Sequence, residues 1–174
     1  MKLTLATSAD LDAVKSIFKP HRAIFPYLRN DYLKQAIDEG RCIYHQGIVI
    51  IYRNYKHHSW IGKQLVKKGD CVLLEIVKNS NSQTNTSKVI QSFFSMMNID
   101  VWLTVRANNK VARSFYEKNG MSNVGPITWS NGKVKGRIYK ISKPTDKYGI
   151  WDLTPVNPFR YFCGFRDLIT KRDR

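Results

Sequence analysis

The sequence predicts an α/β fold of mixed α+β type: one central, mixed, twisted sheet flanked by helices, followed by a C-terminal extension. Three observations carry this. Short β-branched apolar runs, bounded by turn residues, alternate along the chain with stretches whose apolar residues recur at helical spacing. A strong hairpin signal, Asn131-Gly132 between two alternating runs, follows that alternation and does not interrupt it. The chain has 174 residues, of which 43% are apolar and 12% aromatic, enough for one domain with a sizeable core.

The elements follow in order. "KLTLATSADLDAVKSIF" reads as a short strand, a cap at Ser8 and a helix over about 9–18. "KPHRAIFPYLR" is an irregular connector broken by Pro20 and Pro26. "NDYLKQAIDEG" is a helix capped by Asn30 and stopped at Gly40. "RCIYHQGIVIIYRNY" reads as two strands joined at Gln46-Gly47, and "CVLLEIV" as a buried strand, too short and apolar for a surface helix. "KNSNSQTNTS" is a polar loop. "KVIQSFFSMM" then sets Val89, Ile90, Phe93, Phe94 and Met97 on one helical face. "IDVWLTV" is another buried strand, and the helix after it carries Val111, Ala112, Phe115 and Tyr116 on one stripe. "ITWSNGKVKGRIYKI" closes the domain, expected over residues 1–142, as a hairpin. Residues 143–174 turn irregular and aromatic, an extension expected to pack on the domain.

Charge narrows the partners. Lys and Arg number 29 against 13 Asp and Glu, a net +16, which calls for an anionic partner. No apolar run approaches a membrane span, and the N-terminus turns polar too early for a signal peptide. Cys42, Cys71 and Cys163 are far apart and lack metal-ligand spacing, so reduced thiols, no metal and a cytoplasmic setting are expected.

The motif richest in chemistry is "LTVRANNKVARSFYEKNGM". Its Val105, Asn109, Ala112, Tyr116 and Gly120, taken with the order of elements, resemble the signature of the GNAT superfamily of N-acyltransferases over about residues 1–142; Met121 stands where the family usually has Phe. The resemblance implies that acetyl-coenzyme A, or a related acyl-coenzyme A, lies in a splay between "CVLLEIV" and "DVWLTV". Tyr116 would protonate the departing thiolate, its ring packing while its hydroxyl acts as an acid. Asn109 would bond the pantetheine arm, and Val77 and Ala112 would line the coenzyme. The family's Gln/Arg-x-x-Gly-x-Gly/Ala phosphate loop is here "NSNSQTNTSKV": Gln83 matches the first position and both glycines are missing. The resemblance then leaves Asn85, Thr86, Ser87 and Lys88, at a helix N-terminus, as the replacement cradle.

Acyl transfer to an amine needs a base. Glu75, mid-strand in an apolar run, is one candidate, since burial would raise its pKa. His21, in the proline-stiffened connector, is the other. Between Glu39 and Asp70, and again between Glu117 and Asp146, there is no acid, while cations alternate with Tyr52, Tyr55, Trp60, Trp129 and Tyr139. One coenzyme needs few cations. The excess points to nucleic acid, either DNA or tRNA, as the acceptor or its carrier. The charge and fold also resemble Mom-type phage proteins that modify DNA bases, and fit GNAT proteins that modify aminoacyl-tRNA. A GNAT-fold binding module without turnover and a protein N-acetyltransferase are the alternatives, and a homodimer is allowed.

Overall fold

A computed structural model describes residues 1–22, 25 and 29–143. The extension expected over 143–174 therefore lies outside the described residues beyond Lys143, and Met1–Lys143 form one compact unit. Among the described residues no helix is long and apolar enough to cross a membrane.

The N-terminal strand expected from the alternation of Leu3 and Leu5 shrinks to one bridge, Leu5 to Ile43. The first cap also shifts by one residue. Asp10 accepts from the Thr7 N–H and Thr7 Oγ1, both at 2.8 Å, closing a 3-10 turn over Ser8–Asp10 that runs into α1, Leu11–Phe18. Helix α2, Asn30–Asp38, is preceded by an extended Arg29, so Asn30 lies inside the first turn instead of capping it; Gly40, at φ +64°, ends the helix as expected. Strands β1, Cys42–His45, and β2, Ile48–Asn54, are joined at Gln46 and Gly47, both at positive φ. Next comes a hairpin that the sequence pattern did not announce: β3, Ser59–Ile61, and β4, Gln64–Val66. The chain continues through β5, Cys71–Lys78; α3, Thr86–Met97; β6, Val101–Arg106; and α4, Lys110–Lys118. It closes with β7, Ser122–Trp129, and β8, Val134–Ile141, turning through Asn131 and Gly132 at positive φ.

The six-stranded sheet has the order β1-β2-β5-β6-β8-β7. Two antiparallel halves, β1-β2-β5 and β6-β8-β7, meet at the parallel contact of β5 with β6. Each face buries its own apolar set. Ile48, Ile50, Tyr52, Leu73, Leu103 and Tyr139 pack with α3 and α4. Cys42, Val49, Ile51 and Val77 pack with α1 and α2 on the other. Farther along that second face, Trp102 and Ile138 pack under the β3–β4 hairpin through Ile61 and Val66.

Candidate functional site

The site begins where the sheet comes apart. Strand β6 pairs with β8 along its whole length, and β5 pairs with β2 along its whole length. Between them only Cys71↔Val101 and Val72↔Trp102 are in register. Beyond that contact the strands diverge, so main-chain groups of β5 and β6 at their C-terminal ends lack the partners a continuous ladder would give. Parallel strands present their C-terminal ends to the following helices, and the openings there are where α/β sheets bind ligands.

A β-bulge marks the same place. The β2–β5 register jumps from Ile51↔Glu75 to Tyr52↔Leu73, leaving Leu74 without a partner. An extra residue bends a strand and re-aims its side chains. Leu73 packs with α3 and α4, whereas Leu74 packs with α1 and α2, and Glu75, opposite Ile51, shares Leu74's face. The bulge thus puts two successive side chains on one face and points Glu75 at the α1/α2 side of the opening.

The Glu75 carboxyl is partly buried, and burial pushes its pKa up to about 7. Tyr116 is set by α4. Its ring stacks edge-on against Phe115 at 5.5 Å and lies 6.3 Å from the Tyr139 ring. Burial, and then the charge of Glu75, push its phenol up to about 12, which holds the hydroxyl protonated at neutral pH. Glu75 and Tyr116 therefore sense one another although they come from different strands and helices. A third group joins them. The Tyr32 phenol of α2 is raised by burial and by Glu75, while Arg41 and Arg53 pull it back. Arg53 lies over the Tyr55 ring at 5.5 Å, and its Nε is buried with no partner among the described residues.

Helix α4 is anchored at both ends. Asn109 caps it, its Oδ1 accepting from the Ala112 N–H at 3.0 Å, which commits one lone pair of that oxygen to the helix and leaves the amide nitrogen free to donate. At the other end the buried Asn119 donates from Nδ2 to the Phe115 carbonyl at 2.7 Å and to Ser87 Oγ at 3.3 Å. This stitches the end of α4, hence Tyr116, to the start of α3. Ala112 packs partly buried against the α3/α4 core. The Val77 side chain is buried on the opposite face, so any contact of Val77 with a coenzyme is through its main chain.

The polar loop before α3 is tied down. Ser82 Oγ and Thr84 Oγ1 donate to the Gln46 carbonyl at 2.7 and 3.1 Å. A Cβ on Gly47 would meet Ser82 Cβ at 2.9 Å, so the β1–β2 turn and this loop are in contact. Asn85 caps α3 by accepting from the Lys88 N–H at 3.2 Å. Two members of the expected cradle are thereby bonded to each other, the Asn85 oxygen accepting from the Lys88 N–H, which leaves the Lys88 side chain for a ligand. The Gln83, Thr86 and Ser87 N–H groups have no acceptor among the described residues. Those of Thr86 and Ser87 lie in the first turn of α3, where an anion is favoured, and that of Gln83 precedes the cap. Side-chain bonds to a neighbouring turn thus hold the loop that glycines would otherwise shape.

His21 ends the 3-10 turn after α1. No hydrogen bond or ion pair among the described residues joins its imidazole to Glu75 or Tyr116. Burial pushes the Cys42 and Cys71 thiols up to about 12, so neither is a nucleophile at neutral pH. Sequence reasoning missed Tyr32 and Asn119, and counted Arg53 only among the cations between Glu39 and Asp70. Tyr32 sits beside Leu33 on an amphipathic helix and Asn119 precedes a terminating glycine, so each had a sufficient local explanation.

No family model and no curated protein matches the chain. Solved structures do. A GNAT-family acetyltransferase from Bacillus cereus superposes with a TM-score of 0.60 at 18% identity, covering 82% of this chain and 96% of that one. The ribosomal-protein-S18-alanine N-acetyltransferase from Escherichia coli gives a TM-score of 0.59 at 15% identity, covering 86% and 98%. The NatB acetyltransferase complex, solved bound to CoA and MES, gives a TM-score of 0.60 at 12% identity, covering 83% and 100%. At such identities the likeness is one of fold. The chain has the α/β fold of GNAT acetyltransferases, a mostly antiparallel central sheet flanked by helices.

Proposed function

We propose that residues 1–142 form an N-acyltransferase of the GNAT type that uses acetyl-coenzyme A or a related acyl-coenzyme A, with its acceptor amine on or bound to nucleic acid. One observation carries the reading. Beyond Val72↔Trp102 strands β5 and β6 part, Glu75 lies on that stretch of β5 with its pKa pushed up to about 7, and its charge helps keep the Tyr116 phenol protonated, which supports this pair as base and acid. The residues present fit the coenzyme. Unpaired strand edges suit an amide-bearing arm, and the Thr86 and Ser87 N–H groups suit a pyrophosphate.

Bound coenzyme supplies an activated thioester carbonyl. The chain supplies the rest. Glu75, half ionised near neutral pH, takes the proton from the acceptor ammonium or attacking amine. Tyr116 holds its proton at Oη, ready to give it to the leaving sulfur. Calorimetry should show acetyl-coenzyme A binding despite the glycine-free loop; no heat up to millimolar coenzyme would remove the enzyme and leave a binding module.

The acceptor reading rests on charge. With a net +16, a preference for a polyanion follows, and an exocyclic base amine of DNA or the amine of an aminoacyl-tRNA meets it. Lys63, Lys67 and Lys68 are all exposed. Neutralising the three should flatten the log–log salt slope of nucleic-acid binding by up to about 3 units, near 0.9 per lost phosphate contact on duplex DNA, with coenzyme affinity unchanged. An unaltered slope would return the charge to a solvated surface. A protein N-terminus is the second reading, favoured by the fold likeness to the S18-alanine enzyme and to NatB. Acetylation of a peptide in preference to oligonucleotide or aminoacyl-tRNA amines would select it.

A further inference from the structure

The β3–β4 hairpin has no part in the chemistry above, yet the fold holds it firmly. Two strands of three residues each are too short to stand alone in water. Their inner side chains, Ile61 and Val66, are buried against Trp102 and Ile138. Gln64 Nε2 donates to the Val124 carbonyl at 2.9 Å. At the turn, Gly62 has φ +58°, and a Cβ there would meet the Pro126 carbonyl oxygen at 2.9 Å and Ile138 Cδ1 at 3.0 Å, so the tip is pressed onto the sheet. At the base, the Tyr55 N–H bonds the Asp70 carbonyl, and Asp70 Oδ2 accepts from the Lys67 N–H and from Trp102 Nε1, both at 2.9 Å.

What this rigid hairpin presents outward is Trp60, 68% exposed, and directly across from it Leu65, 46% exposed. Single exposed apolar residues are ordinary. Here a cross-strand pair is exposed together, and the hairpin and the residues leading into and out of it carry the exposed Lys56, His57, His58, Lys63, Lys67 and Lys68. The only acid between Glu39 and Glu75 is Asp70, which is buried and hydrogen-bonded; Asp100, itself paired with Lys140, reaches Lys67 from outside the hairpin, and no acid of the hairpin itself faces the other cations. An exposed indole on a hairpin rich in lysines complements a base between phosphates, since stacking needs an exposed aromatic plane and the flanking backbone needs cations. The hairpin also covers the same sheet face onto which Glu75 points.

We infer that the β3–β4 hairpin is a stacking platform for an unpaired base of a nucleic-acid strand, Trp60 taking the base and the hairpin's lysines its phosphates. This deepens the proposed nucleic-acid acceptor and rests on that reading. It commits to a strand with accessible bases, because a base-paired stack offers no free face to a single indole.

The test is fluorescence anisotropy of the full chain with labelled dT12, rU12, an abasic strand of equal length and a blunt duplex. Wild-type protein should prefer dT12 or rU12 over the abasic strand. Trp60→Ala should weaken binding to those strands about tenfold, by the same factor at every salt concentration, and leave the abasic strand unaffected. Trp60→Phe should restore most of the loss. The relative affinities of dT12 and rU12 assign the strand chemistry. Trp60→Ala affinity equal to wild type, or wild-type binding indifferent to the bases, would overturn the platform. So would a Trp60-dependent affinity for anionic vesicles with none for oligonucleotides, which would make the hairpin a membrane contact. Coenzyme calorimetry on the same variant separates this failure from that of the enzyme: Trp60→Ala should bind acetyl-coenzyme A as wild type does, whatever the oligonucleotides show.

Discussion

Tyr116→Phe should lower turnover about 10²-fold while coenzyme affinity and melting temperature stay close to wild type. The expectation follows from what the substitution leaves in place. The ring keeps its contacts with Phe115 at 5.5 Å and Tyr139 at 6.3 Å, and α4 keeps its Asn109 cap and its Asn119 tie to Ser87. Only one oxygen is lost, and with it the proton that burial and Glu75 hold on the phenol. A group that acts only in the transition state lowers kcat and kcat/KM together, whereas a packing residue would cost stability first. Steady-state kinetics beside a thermal melt separate the two. Full turnover in the phenylalanine variant would make Tyr116 a wall of the pocket, and the proton would then reach the sulfur through solvent.

Much of this arrangement was legible beforehand. The stripe from Val89 to Met97 faces a core as its helical spacing predicts, and so do Ala112, Phe115 and Tyr116, whereas Val111, expected on the same stripe, stands 83% exposed because it lies in the first turn of α4, off the packed face; Asn131-Gly132 turns a hairpin because both positions need positive φ. Three features were not legible, each for a physical reason. The β3–β4 strands are shorter than the window in which alternation becomes a signal. The bulge at Leu74 hides in "CVLLEIV", a run so uniformly apolar that no break in its alternation can be seen, although it decides where Glu75 points. The polar loop before α3 reads as solvated because its partner, the Gln46 carbonyl, is 36 residues away from Ser82 in sequence. Local pattern reports local bonds; the loop's shape comes from a distant turn.

Glu75→Gln should have the larger effect on the reaction, a loss of about 10²- to 10⁴-fold in kcat/KM at pH 8, together with loss of the acidic limb of the pH profile. A base works when deprotonated. With its pKa pushed up to about 7, wild-type kcat/KM should climb through neutral pH and level off above it, and the glutamine variant should be flat there. Stability should move the opposite way. The folded pKa lies above the ordinary value of 4.5, so the folded state holds this proton more tightly than the unfolded chain does. The contribution is fully present below about pH 4.5 and is lost as pH rises through about 7, amounting to about 3 kcal/mol at most. Glutamine mimics the protonated form at every pH. The variant should therefore melt with wild type at pH 4 and above it at pH 8, a catalytic loss paired with a stability gain. A variant that keeps the acidic limb would acquit Glu75 and turn attention to His21. A variant no more stable than wild type at pH 8 would mean that the carboxylate is solvated in the open gap, and that its pKa is not raised enough to serve as the base.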